Sequence, residues 1–231
     1  MDTHDSISVQ GPVAALARAR LCNFFELALA HPAPDGLAYF RDTSTADAYA
    51  SIVSAAGDDV DDARQAALSA GARFFDALRG LDNAQAEAAH ITLFSAGFPT
   101  LPCPPYGSLF LVEGDKRLDE MRSVKQFYQG HGFDLDEGFT DLPDHLCVEL
   151  EFMQALCFRE VEAARAGDEA VERAARAAQS DFLDRFLQPF ARRIADAAAA
   201  LRADNVYASL LAALHGYLRV HRQALHALNP S

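Results

Sequence analysis

Apolar and polar positions alternate with the period of an α-helix along nearly the whole chain, and Gly or Pro marks the ends of the periodic runs. About seven helices are readable. The first is expected from Pro12, a good first-turn residue, with Val13, Leu16, Leu21, Phe24 and Ala28 on one side, and it must stop by His31-Pro32. Thr45 is read as the cap of a second helix that ends at Gly57. A third covers Asp59 to Arg79, with acids at its N-terminus and Phe74, Phe75 and Leu78 pointing inward. A fourth runs from Asp82-Asn83 to about Phe94. Pro99, Pro102, Pro104 and Pro105 make Ser95 to Ser108 an extended connector. Leu109 to Val112 is the one strand-like run, and without a ladder partner it reads as extended loop or the start of a helix.

A helix around Leu118 to Gln129 is expected to end at Gly130-His131-Gly132. An acidic, glycine-containing segment then leads to Asp144, the expected N-cap of a helix from His145 to Ala166. In that helix Leu146, Leu150, Met153, Cys157 and Val161 form one stripe. After Gly167 a long helical pattern should bend or break at Pro189, and a last helix aligns Val206, Leu210, Ala213, Tyr217 and Val220. The fold class is therefore all-α, a multi-helix bundle. Its parts are a flexible N-terminus (1–11), an N-terminal helical part (12–130), a hinge (131–144) and a C-terminal helical part (145–231), together one compact unit.

With 231 residues and half of them apolar, the chain can bury a substantial core. Its 33 acids against 20 Lys and Arg give a net charge of −13, which repels nucleic acid and anionic membranes and favours a basic partner. The start of the chain has neither a basic stretch nor an apolar one, so no secretory signal is read there. No run reaches the ~20 apolar residues of a membrane span, and a cytoplasmic location is expected.

Enzymatic chemistry finds little support. A helical bundle of this size raises the alternative of a di-iron oxidase, which needs two Glu-x-x-His pairs, yet Glu87-Ala-Ala-His90 is the only one present. No metal is expected at Glu87 and His90, and no cofactor elsewhere. His145 and Glu149 are spaced to hydrogen-bond along a helix. Cys22, Cys103, Cys147 and Cys157 form no C-x-x-C or C-x-x-H pair, so they read as buried thiols, although a distant His could approach one in the fold. There is no phosphate-binding loop and no nucleophile elbow. What stands out is the crowding of acids from Asp134 to Asp144, flanked by Tyr106, Phe110, Phe127, Tyr128, Phe133 and Phe139.

Two motifs then carry a resemblance. Tyr106-Gly107-Ser108-Leu109-Phe110, after the proline-rich loop, is similar to a Tyr-x-x-Leu-Phe motif. Asp141-Leu142-Pro143-Asp144-His145 resembles Glu-Pro-x-Asp-His, with Asp in place of Glu and the proline one position later. Both belong, in this order, to the redox-enzyme maturation chaperones of the TorD/DmsD/NarJ group. A later His-Leu-x-x-Trp-like pattern reads Phe186-Leu187-Gln188-Pro189-Phe190 here, and Pro99 to Phe158 is the most specific part of the likeness.

The resemblance implies a TorD-like fold and a chaperone rather than an enzyme. It implies as client the apo-form of a molybdenum enzyme's catalytic subunit and/or its twin-arginine signal peptide, held until cofactor insertion. A monomer or a domain-swapped dimer, exchanging halves through the 131–144 hinge, follows from the same likeness. The implied client site is Tyr106, Leu109, Phe110, Asp141, Pro143, Asp144, His145 and Glu149. Acids beside an apolar groove suit an arginine-bearing peptide.

Overall fold

The computed structural model describes residues 3–57, 62–96, 100–135 and 141–228, with backbone alone from 3 to 10. Its helices are α1 (Thr3–Leu29), α2 (Pro34–Arg41), α3 (Thr43–Ala55), α4 (Asp62–Arg79), α5 (Asn83–Phe94), α6 (Ser108–Leu111), α7 (Lys116–Gly130), α8 (Leu146–Ala166), α9 (Glu169–Phe182), α10 (Gln188–Arg202) and α11 (Val206–Leu228). A π-helical segment, Leu183–Leu187, joins α9 to α10. No strand occurs among the described residues, so the all-α expectation holds.

Local signals explain most boundaries. The Asp82 carboxylate accepts from Gln85 N at 2.8 Å while the Gln85 side chain accepts from Asp82 N at 2.9 Å, a reciprocal cap for α5. Gly167 ends α8 with φ of 71°, a left-handed turn that suits glycine, and Asp168 caps α9 through Val171 N.

Three expectations are corrected. α1 begins at Thr3, so Pro12 is internal; a proline inside a helix forfeits one hydrogen bond without ending the chain's helical course. The buried face of α1 runs through Ala15, Ala19, Cys22, Phe25 and Leu29, which leaves Val13 56% exposed. α3 is capped by Asp42, whose carboxylate accepts from Ser44 N at 2.8 Å. Thr45 is buried inside the first turn and its hydroxyl donates to Tyr39 O. Ser108 opens α6 rather than closing the connector, which resolves Leu109 to Val112 as mostly helix.

The stripe on α8 and the expected face of α11 are buried as read. α1 packs chiefly on α8, and α4 on α11, so elements from both halves of the sequence share one core. Where α4 crosses α11 the backbones nearly touch. A Cβ at Gly216 would lie 2.6 Å from Ala67 N. At Pro189 the chain neither stops nor bends freely. The wider π turn just before it keeps Phe182, Leu183, Phe186 and Leu187 all in the core, and Phe182 and Phe186 pack on Phe127 at 5.4 and 5.8 Å. No helix among the described residues is long and apolar enough to cross a membrane.

Candidate functional site

A cleft of about 680 Å³ opens where four elements meet. They are the C-terminal end of α1, the end of α5, the proline-rich connector and the start of α8. The connector is pinned to α8 by backbone pairing. Leu146 N donates to Pro105 O and Gly107 N donates to Asp144 O, both at 2.9 Å, with an antiparallel bridge between Tyr106 and His145. The prolines hold the strand-like course into this pairing because their φ is fixed and they have no N–H to satisfy.

This pairing sets three side chains at the mouth. The Tyr106 hydroxyl donates to Asp141 Oδ1 at 3.1 Å, its ring meets the His145 ring edge-on at 5.3 Å, and His145 Nε2 lies 3.8 Å from Asp141 Oδ2. His145 Nδ1 accepts from Cys147 N, so in the neutral ring the proton is on Nε2, toward Asp141. Burial lowers the His145 pKa below its ordinary value against the opposing pull of Asp141 and Asp144, and so favours that neutral form.

The lining mixes acidic and apolar side chains. Among the described residues, Glu26, Asp141 and Glu151 are the carboxylates that line the cleft, with Leu29, Phe94, Leu101, Pro105 and Val148, and neither Lys nor Arg joins them. Burial, and then the neighbouring Glu151, raise the Glu26 pKa above the usual carboxylate range. A bound cation beside the two glutamates would relieve this repulsion. His31 and His90 also line the cleft. His90 Nε2 lies 2.9 Å from Leu29 O, and Glu87 pairs with His31 at 3.2 Å, so the Glu-x-x-His spacing serves two separate contacts.

Asp144 and Glu149 lie behind the cleft wall, 0% and 1% exposed. The expected N-cap role of Asp144 is corrected: its Oδ2 accepts from Ser108 N at 2.8 Å, reaching the first N–H of α6, and His145 caps α8 instead. The expected His145–Glu149 contact is replaced by Asp141 and Cys147 N. Neither Glu149 oxygen, nor Asp144 Oδ1, has a hydrogen-bond partner among the described residues. Burial, then Asp144 and Glu120, push the Glu149 pKa well above the usual range, so its carboxyl carries a proton to unusually high pH. Gly107 arches over it. A Cβ there would stand 3.1 Å from Glu149 Oε1 and 3.4 Å from the Phe190 ring, so the glycine is a close-approach position rather than a strained one.

The eight residues named from sequence thus divide into three groups. Tyr106, Asp141 and His145 face the cleft. Asp144 and Glu149 support it from inside, and Pro143 O accepts from the Tyr128 hydroxyl at 2.8 Å. Leu109 and Phe110 lie on α6 toward α10, where the Phe110 ring packs on Phe190 at 5.6 Å and Arg193 donates to Phe110 O. Glu26, Glu151 and His31 are not among the client-site residues read from sequence, and His90 is read there only as part of a Glu-x-x-His pair, because no spacing in the sequence joins positions on α1, α5 and α8. Of the flanking aromatics, Phe127 and Tyr128 fill the core, and Phe133 packs on Phe152. Residues 136–140 of the expected hinge, with Phe139, lie outside the described residues.

The model of the family described as "Nitrate reductase delta subunit" matches residues 57–196, more than half of the chain. The chain belongs to that family. This bears out the resemblance carried by the two motifs. Among the family's named relatives, the selenate reductase assembly chaperone protein of Thauera selenatis is 37% identical over 126 residues, 50% of this chain and 60% of that protein. The chlorate reductase assembly chaperone protein of Ideonella dechloratans is 33% identical over 108 residues, 44% of this chain and 51% of that protein. The matched stretch therefore spans between half and two thirds of these relatives. Both are named for assembly rather than for catalysis. A solved chain from Archaeoglobus fulgidus, described as a redox enzyme maturation protein, is 20% identical with a TM-score of 0.48, covering 87% of this chain and 93% of that one.

Proposed function

We propose that this protein is a cytoplasmic assembly chaperone, without catalytic activity of its own, for the immature catalytic subunit of a molybdenum-containing reductase. In this reading it holds its client until the cofactor is inserted, and the segment it grips is basic and partly apolar, as a twin-arginine signal peptide is. The observation that carries the reading is the cleft lining of Glu26, Asp141 and Glu151 with Leu29, Phe94 and Leu101, and with neither Lys nor Arg among the described residues that line it. Carboxylates accept paired hydrogen bonds from a guanidinium, and the apolar side chains of the lining take the residues that follow it. Tyr106, Asp141 and His145 make the direct contacts. Asp144 holds the connector in register through Ser108 N and Gly107 N, Glu149 and Pro143 back it from inside, and Leu109 and Phe110 extend the apolar surface along α6.

The test is titration of a peptide with two arginines and a following apolar stretch into wild type, Asp141→Asn, Glu151→Gln and the double variant at low and moderate salt. Each exposed carboxylate contributes about 1 kcal/mol at low salt, roughly fivefold in Kd, and the effect shrinks as salt rises. Equal affinity of the double variant and wild type at low salt would remove the acidic lining from the site.

A further inference from the structure

A second cluster of chemically able side chains lies in the core, away from the cleft. Cys22 on α1, Cys157 on α8 and His221 on α11 are fully buried, and their ligand atoms all lie within 4.8 Å of one another. Cys157 Sγ is 4.0 Å from His221 Nε2. Gln179 on α9 adds an oxygen at the same place, with Oε1 2.9 Å from His221 Nε2 and 3.3 Å from Cys157 Sγ. The orientation of that amide is fixed, because its nitrogen donates to Glu160 Oε2 at 2.8 Å.

We infer that Cys22, Cys157, His221 and Gln179 Oε1 form a buried binding site for a thiophilic cation, zinc(II). Bonds of about 2.0–2.3 Å in a tetrahedron put ligand atoms some 3.3–3.8 Å apart, so the three donors, which lie within 4.8 Å of one another, would draw together by about 1 Å or less, and the 2.9 Å hydrogen-bond spacing of Gln179 Oε1 and His221 Nε2 would widen. Two thiolates and an imidazole are the soft donor set that selects zinc over magnesium or calcium. Charge also balances. Two thiol protons leave to solvent as Zn²⁺ enters, so the site stays neutral, while Arg18 is already paired with Glu160 at 2.7 Å.

The surroundings supply what such a site needs around its ligands. His221 Nδ1 is 3.2 Å from the Tyr217 hydroxyl, and that hydroxyl donates to Arg18 O at 2.8 Å. The relay places the imidazole proton on Nδ1 and turns the Nε2 lone pair toward the sulfurs. Arg18 is fully buried, yet its Nε and Nη1 have no hydrogen-bond partner among the described residues, and its charge interacts with Cys157. A guanidinium with unpartnered N–H groups beside the cluster favours thiolate over thiol there. Without the ion the same groups form a different network, in which the imidazole proton sits on Nε2 and is donated to Gln179 Oε1.

The two states are separated by elemental analysis of the full chain as purified, followed by addition of Co²⁺ to chelator-treated protein. The expected result is one zinc per chain. It includes a thiolate-to-cobalt charge-transfer band with tetrahedral d–d bands, unchanged in Cys103→Ser and weakened at least tenfold in apparent affinity in Cys157→Ser and His221→Gln. The wild-type readouts stand even where a variant does not fold. Wild-type protein that carries no zinc, and that develops no charge-transfer band when refolded with Co²⁺, would overturn the site and leave the hydrogen-bonded core network in its place.

Discussion

Replacing Asp144 separates a supporting role from a contact with the client. Its Oδ2 takes the Ser108 N–H at 2.8 Å in a place with no solvent access, and its backbone carbonyl takes the Gly107 N–H. Asp144→Ala removes a charged acceptor and strands the Ser108 donor, a loss of about 1.5–3 kcal/mol. At 2–4 °C per kcal/mol for a domain of this size, the melting temperature should fall by roughly 3–12 °C. Asp144→Asn keeps a carbonyl oxygen for Ser108 and removes the charge that helps raise the Glu149 pKa, so it should stay within about 1 kcal/mol of wild type. It should also bind the two-arginine peptide as wild type does. Calorimetric unfolding and peptide titration of the three proteins at pH 7 give the answer. If Asp144→Asn is as unstable as Asp144→Ala, the hydrogen-bond reasoning fails; if it is stable but has lost the peptide, Asp144 contacts the client after all.

Glu149→Gln should stabilise the fold above neutral pH and leave it little changed in acid. A raised carboxyl pKa means that the folded state keeps a proton the unfolded chain releases, so stability declines as pH rises from the ordinary Glu range, about 4.3, toward the folded value. Urea unfolding from pH 5 to 9 should show a shallower decline for the variant, and parallel curves would refute it. Gly216→Ala gains helix propensity of about 1 kcal/mol but drives a methyl against the Ala67 backbone, 2.6 Å from its N. A net loss of about 1–3 kcal/mol is expected from forcing α4 and α11 apart, and Ala67→Gly should not rescue it, because the clash is with backbone. A stabilised variant in a denaturant titration would show that the two helices part freely.

What could be read from the sequence was what neighbouring residues decide. The α8 stripe from Leu146 to Val161 repeats every three or four positions, so its burial followed from helical geometry. The start of α5 was legible at Asp82-Asn83, whereas its reciprocal cap through Gln85 is seen only in the structure. Asp144 was misassigned because the N–H it accepts is 36 residues away in sequence, and a local cap is the commoner use of an Asp before a helix. The π turn escaped notice because Pro189 predicts a break, whereas the packing of Phe182 and Phe186 on Phe127 decides the backbone there. Of the cleft, the two motifs located Tyr106, Asp141 and His145. Glu26 and Glu151 come together only through the docking of α1 on α8, which leaves no spacing to read.

That docking also sets an order of events during synthesis. α1 finds its main partner only when α8 exists, and α4 only when α11, the last described helix, has been made. Arg18 and Glu160 are 142 residues apart, and Tyr217 closes on Arg18 across 199. A ribosome delivers the chain from its N-terminus, so Ala67, which meets Gly216, and the side of Phe74 that meets Tyr207 wait uncovered while most of the polypeptide is still being translated. A nascent chain halted before Val206 therefore presents the bare apolar face of an unfinished protein and needs the kind of shelter that the finished fold is proposed to give.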